Sequence, residues 1–434
     1  MSELKAGVGL SRKWDAREAG REVAETALEK LEGEKPKFFL LFSTIHYEKY
    51  GGFQELLNGV WEVLPEGTPL IGGTILGFLN NLGCFTRGVT SLAVSYPNMD
   101  VATGYGKNSK GQPFKAVKDC THPIKNKLER SNHKNKFLLN LISGPEMFNF
   151  PKMGYKKIIR SKSAIKMALS FMKLAQNKFQ KGFPRDDEIL EMLSENLKEY
   201  SILSGVLLDD FKFTRNYQFV DNRVETGAIV GLGLSTDLPV EVHTSHRMKT
   251  TGIEFKITEV DYNGWILKKF DGLPAKNRFL ELLGWNEETI LDEYRFLMRT
   301  MYYPIGIKKG DIICPTIVGM ILGDWIVTTL RAKEGDDATV LNISGEEILE
   351  AVDENIQYVN RCIEMPLFGI HISCITRLIT LGKEINAVRR KLLDFYNGRP
   401  FLVIYVAGEG TYTPKHGLTY SNMSFNSAVF GKSL

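Results

Sequence analysis

Apolar residues along this chain fall into short unbroken runs and longer stretches with a 3.6-residue period, and the two kinds recur in one order. Phe38–Ser43 is an apolar run bounded by polar residues, the pattern of a buried strand. Residues 53–64 carry apolar side chains at helical spacing. A short strand at 68–73 then runs into a glycine pair, and 88–96 and 101–105 read as two further strands. The order returns after Lys136, with strand 137–143, helix 188–200, strand 201–205, and strands 226–235 and 240–244. A weaker third copy has strand 368–374, helix 383–396 and strands 400–406 and 420–430. Each unit reads strand–helix–strand–strand. Such a unit cannot bury both faces alone, so the copies should pack on one another. The connections after each helix are too short for crossover helices, so those strands should pair as antiparallel hairpins. The expected class is α+β: repeated units forming mixed, largely antiparallel sheets with helices outside.

The opening strands of the first two copies are offset by about 98 residues, but Gly73 and Gly205 by 132. The second copy therefore holds an insertion at about 144–184. Within it Ile158, Ile165, Leu169, Met172 and Phe179 recur at helical spacing, predicting a basic amphipathic helix. Between copies two and three, strands at 253–260 and 264–270 are joined by an Asn-Gly turn. A helix follows through Leu283, then strands at 312–323 and 324–330, then a helix at 346–361.

With 434 residues, 43% hydrophobic and 24% charged, the chain has ample material for a core. The small net charge of +4 hides an asymmetry: residues 106–185 hold 19 Lys/Arg and three acids. That stretch is either a solvated face or a contact for an anionic partner. Five scattered cysteines fit neither a disulfide scaffold nor a zinc ribbon and suit a reducing compartment. The first twenty residues have no apolar signal core, and no run is long enough for a membrane span, so a cytoplasmic location is expected.

No phosphate loop, HExxH or GxSxG motif occurs. Gly231 and Gly233 lie inside a strand pattern, where they cannot cradle a pyrophosphate. His243 and His246 are three apart at a strand end, which places them on opposite faces. Cys374, at the end of a strand and near Arg377, is the best candidate thiol, although a buried inert cysteine fits the same pattern. Polar residues at strand ends remain: Arg377, Glu409 and Asn422. Converging, they would suit a zwitterion such as an amino acid, the arginine holding a carboxylate and the glutamate an ammonium. Equally, they could serve turn backbones.

Several segments taken together resemble the FIST family. Gly7-Val8-Gly9-Leu10-Ser11, residues 16–31 and Ile71-Gly72-Gly73-Thr74 are similar to the FIST N-terminal domain, and Asp271-Gly272-Leu273-Pro274-Ala275 to its exit turn. Ser373-Cys374-Ile375-Thr376-Arg377, Gly408-Glu409-Gly410 and Asn422-Met423-Ser424 resemble the FIST C-terminal domain. The chain departs from that pattern at Ser421, where the family often has histidine, and at Gly410. The resemblance implies an N-terminal-like domain over 1–255, with two repeats and the basic insertion, and a C-terminal-like domain over 256–434. It implies a sensory protein that binds a small ligand, such as an amino acid or related metabolite, and works with a separate signalling partner. Candidate ligand contacts are Cys374, Arg377, Glu409, Asn422, Gly73 and Gly205. No catalytic residue, metal or nucleic-acid partner is expected. No cofactor is expected either, though some related proteins bind haem, which keeps a haem-bound gas sensor open. Also open are an enzyme (a hydrolase or transferase) using Cys374 and a scaffold docking to an anionic surface through Lys156, Lys157, Arg160, Lys162 and Lys166.

Overall fold

In the computed structural model, which describes residues 3–146, 157–167, 169–170, 182 and 184–433, each copy is longer than the apolar pattern alone suggests. A lead strand and a helix precede the opening strand. The first copy runs β1 (Lys5–Ser11), α1 (Ala16–Glu29), β2 (Phe38–Ser43), α2 (Phe53–Trp61) and β3 (Leu70–Thr74). A hairpin of β4 (Gly77–Asn80) and β5 (Gly83–Phe85) follows, then β6 (Val89–Ser95). The second copy runs β7 (Met99–Lys107), α3 (Pro113–Leu128) and β8 (Asn135–Ile142), then the inserted β9 (Ile158–Ile159). It continues through α4 (Asp186–Asn196), β10 (Ser201–Val206), the hairpin β11 (Gln218–Val220) and β12 (Arg223–Glu225), and β13 (Ala228–Thr236).

The third copy starts at β14 (Val240–Ser245) and is then interrupted by a separate sheet. That sheet comprises β15 (Lys249–Asp261), β16 (Ile266–Phe270), β17 (Leu273–Pro274), α5 (Ala275–Leu282) and α6 (Glu293–Tyr302). It is completed by β18 (Ile305–Lys309), β19 (Ile312–Thr316), β20 (Val318–Leu322), β21 (Trp325–Thr328) and β22 (Asp337–Asn342). The copy then resumes with α7 (Gly345–Asn360), β23 (Ile363–Cys374), α8 (Ile375–Leu381) and α9 (Ile385–Tyr396). It closes with β24 (Phe401–Val406), β25 (Glu409–Thr413), β26 (Gly417–Ser421) and β27 (Phe425–Ser433). The seam expected at 255/256 falls within β15, which pairs with β16 on one side and β22 on the other.

The three copies share one strand order: β1-β6-β2-β3, β7-β13-β8-β10 and β14-β27-β23-β24. In each, the opening strand and the strand after the helix are parallel. A parallel pair needs a crossover, and α2, α4 and α9 supply it. The sheets are mixed and the class is α+β. The hairpins, however, do not pair within their own copies. The β4–β5 hairpin joins β24 of the third copy, β11–β12 joins β3 of the first, and β25–β26 joins β10 of the second. The three copies thus exchange hairpins in a ring. The exchange begins where β3 ends: the Ile75 amide still bonds Ser43, but the Leu76 amide donates to Tyr405 of the third copy (3.3 Å). Where the sheets meet, Phe38 lies against Phe368, Phe137 against Phe430, and Phe368 stacks on Phe430 at 4.3 Å.

Two sequence expectations change. The strand expected at 420–430 breaks into β26 and β27, because Met423 takes a left-handed conformation at φ +63°. The basic helix does not begin at Ile158. Ile158 and Ile159 extend β20 as a parallel strand, a role that suits β-branched side chains, and helix is seen at 162–167. Met172 and Phe179 lie outside the described residues, as does Lys156. Arg160, Lys162 and Lys166 are exposed, but Lys157 is turned inward, its Nζ 4.5 Å from the Phe211 ring and 4.9 Å from that of Phe213. Among the described residues no helix is long and apolar enough to cross a membrane.

Candidate functional site

The turn that separates β26 from β27 gathers most of the residues singled out from the sequence. Glu409 opens β25 opposite Gly205 and is fully buried. Its Oε1 accepts from the Ser424 amide (2.7 Å) and hydroxyl (3.0 Å). Arg377, on α8 and 1% exposed, donates to the main-chain carbonyls of Met423 (3.2 Å) and Ile348. The Cys374 amide bonds the Ser424 carbonyl, and its Sγ accepts from the Thr376 hydroxyl at 3.1 Å. The Asn422 amide bonds Pro315 of the inserted sheet. Cys374, Arg377 and Glu409 therefore hold the turn that starts at Asn422, with Gly205 paired to Glu409. Gly73 does not join them. It pairs with Gln218 in the first sheet, the position that matches Gly205 and Glu409 one copy away.

This cluster is interior, and its chemistry follows from that. Burial raises the Glu409 carboxyl to about 8 against the opposing bonds from Ser424. Burial also lowers Arg377 to about 10, leaving it a cation at neutral pH. Burial, with Glu409 nearby, pushes the Cys374 thiol up to about 12, so it stays protonated. The guanidinium of Arg377 holds two carbonyls that cross from other elements. Glu409 Oε2 and Asn422 Oδ1 are buried without hydrogen-bond partners. So are Asp186 Oδ1 and the Tyr420 hydroxyl, which flank Gly408. From Ser424 the polar line continues outward. Asn426 Nδ2 donates to the Ser424 hydroxyl (3.0 Å), Asn426 Oδ1 accepts from Thr244 on β14, and Asn355 on α7 donates to the Phe425 carbonyl (3.2 Å).

On the outer side of β14 and α7 the surface opens into a cleft of about 430 Å3. Its origin is visible in the lead strands. Gly9, Gly104 and His243 hold the same place, opposite Ser91, Gly231 and Ser427 of the last strand of each copy. A β-carbon on Gly9 would lie 2.0 Å from the Val23 carbonyl of α1, and one on Gly104 2.0 Å from the Cys120 carbonyl of α3. Those helices rest directly on their strands. In the third copy the imidazole of His243 fills that place, stacked on Tyr358 of α7 with ring centres 4.1 Å apart. Tyr358 in turn shares a hydrogen bond with His416 Nε2 (3.0 Å).

Burial lowers the His243 pKa, with Glu354 opposing, so the ring is neutral at pH 7. Its Nε2 is buried and has no partner. Arg247 reaches Glu354 at 3.7 Å and Glu350 at 3.9 Å across the cleft. His246 stands apart, with Nε2 on the Ile313 carbonyl and Nδ1 accepting from the Met248 amide. Among the described residues no group of three or more His, Cys, Asp or Glu side chains is placed to hold a metal ion. Sequence reading passed over His243 because it sought chelating pairs. The usable signal was Gly7-x-Gly9 and Ala102-x-Gly104 in the first two lead strands, small residues that become Glu241-x-His243 in the third.

No curated protein matches the chain. A family model, the FIST N domain, matches residues 37–273, which covers β2 through β17 and so most of the first two copies, β14 and the start of the inserted sheet. With more than half its length matched, the chain belongs to the FIST N domain family.

Proposed function

We propose that this protein is a small-ligand-binding sensor of the FIST type, taking amino acids or related metabolites and passing the bound state to a separate signalling partner. The observation that carries the reading is the cleft between β14 and α7, a concavity of small-molecule size that the other two copies close with glycine. The family association with small-ligand sensing and signal transduction agrees with it. The region 256–434 serves this reading as the FIST C-terminal-like domain. There Arg377, Glu409 and Asn422 act as positioning residues: they fix the 422–424 turn, and through Asn426 and Asn355 they set β14 against α7.

The test is a thermal-shift and calorimetric screen against amino acids and related metabolites. A ligand at a hundred times its Kd adds about 2.7 kcal/mol of stability. A selective shift matched by a calorimetric isotherm is expected. No shift and no heat at millimolar concentration across the panel would overturn the assignment.

A further inference from the structure

We infer that the β14–α7 cleft selects zwitterions whose cationic and anionic groups lie several bonds apart, such as ω-amino acids or basic amino acids held by the side-chain cation and the carboxylate. The inference rests on the small-ligand reading above and names the ligand class for that site.

The wall contributed by α7 is a single helical stripe, Glu350, Asp353, Glu354, Gln357, Tyr358 and Arg361. At 1.5 Å per residue it runs about 16 Å. Charge is sorted along it. At the N-terminal end Glu350 and Glu354 face Arg247, but only at 3.9 and 3.7 Å, and Arg247 is half-exposed. A pair this long and this wet contributes little, so an incoming ammonium or guanidinium can displace Arg247 from between the two carboxylates. Asp353 is already taken, held by Lys391 at 2.8 and 2.9 Å. At the other end stands Arg361, which makes no ion pair among the described residues. It lies one turn beyond Tyr358 on the same face, so it neighbours the His243–Tyr358 stack.

Arg361, a lining residue of the cleft, suits an oxyanion or carboxylate. From Glu354 to Arg361 is seven residues, about 10 Å along the axis. One carbon separates the charges of an α-amino acid's own ammonium and carboxylate. Such a pair cannot reach both ends, whereas a chain of five or six carbons can. The stacked rings between the two ends give the alkyl chain a flat surface.

Calorimetry on the full chain with glycine, 4-aminobutanoate, 6-aminohexanoate and lysine tests this, with hexylamine and hexanoate as single-charge controls. Affinity should rise along the series to 6-aminohexanoate and lysine and fall away for both controls. Arg361→Gln and Glu354→Gln should each weaken binding about tenfold or more, the effect of losing a charged hydrogen bond. Both should keep the wild-type melting temperature, which shows that they fold. Arg247→Ala should leave affinity unchanged or raise it. Equal affinity for glycine and 6-aminohexanoate, or binding that ignores Arg361→Gln and Glu354→Gln, would overturn the cleft assignment and leave the sensor reading standing. Silence across this series, with the broader screen still yielding a ligand, would overturn the ligand class alone. Silence in both would remove the two readings together.

Discussion

The first two copies bring a helix onto the lead strand through glycine, and the third does so through an imidazole ring. The same backbone order therefore gives two closed copies and one with a cleft. Gly9 and Gly104 let helix carbonyls approach to where a β-carbon would stand, and nothing can enter between. His243 holds that place with a ring that stacks on Tyr358 and leaves a polar atom unpaired. A second contrast lies in the interior. Gln218 and Glu409 take equivalent positions in neighbouring copies, each accepting from a main-chain amide at the start of the following strand, Ala228 or the residue before β27, Ser424. The amide of Gln218 is satisfied by Asn216 and Ala228, while the Glu409 carboxyl keeps one oxygen unpaired.

The comparison breaks most readily at the closed copies. Gly104→Val should cost about 3 kcal/mol or more, because the side chain would have to push α3 off its strand. Urea unfolding of the variant measures this, and unchanged stability would show that the glycine does not set the helix distance. Arg377→Met should cost about 2–3 kcal/mol by leaving the Met423 and Ile348 carbonyls without a donor. A neutral result in the same assay would take Arg377 out of the frame that holds the 422–424 turn.

Glu409→Gln, which copies the second repeat into the third, should stabilise the protein, and the gain should depend on pH. Unfolded, the carboxyl titrates near 4.5; folded, near 8. Below 4.5 both states carry the proton and no charge is buried. Between 4.5 and 8 only the folded state keeps it, so stability falls as pH rises. The variant should therefore gain most at pH 8, with the gain shrinking towards pH 4.5. Melting curves at both pH values, with a gain of equal size at each, would contradict the buried-carboxyl account. His243→Gly, which copies the closed repeats into the third, should cost about 1 kcal/mol through the lost stack. Smallest of all, Arg247→Ala should change stability by under about 0.5 kcal/mol, and a larger loss would mean that its contacts to Glu350 and Glu354 are stronger than their distances imply.

The apolar runs Phe38–Ser43, 137–143 and 368–374 made the threefold repeat legible, since strands buried on both faces need no alternation to be seen. Two lead strands were read, at 101–105 and 240–244, but as the ends of the preceding copies; β1 was not, because Gly7 and Gly9 dilute its hydrophobic signal, and β14 is separated from its helix α7 by a whole inserted sheet. The hairpin exchange was not legible at all. Chain direction at the Thr74–Gly77 corner decides it, and turn residues do not say which sheet a hairpin will join. Arg377, Glu409 and Asn422 were found as polar residues at strand ends, and they do converge. Their burial could not be read, because position along a strand does not reveal what covers its end. His243 was seen and set aside, since a single ring without an obvious metal partner carries no motif.

The ring of exchanged hairpins also sets a clock. Asn81, at the tip of the first hairpin, bonds the amide of Phe401, 320 residues further along. At about 5–20 residues per second, a ribosome needs roughly a quarter of a minute to a minute to make that stretch. Until then the β4–β5 hairpin has no sheet to join, and its free edges are open to other chains. The newborn first copy must therefore wait, folded but incomplete, for β24 to emerge.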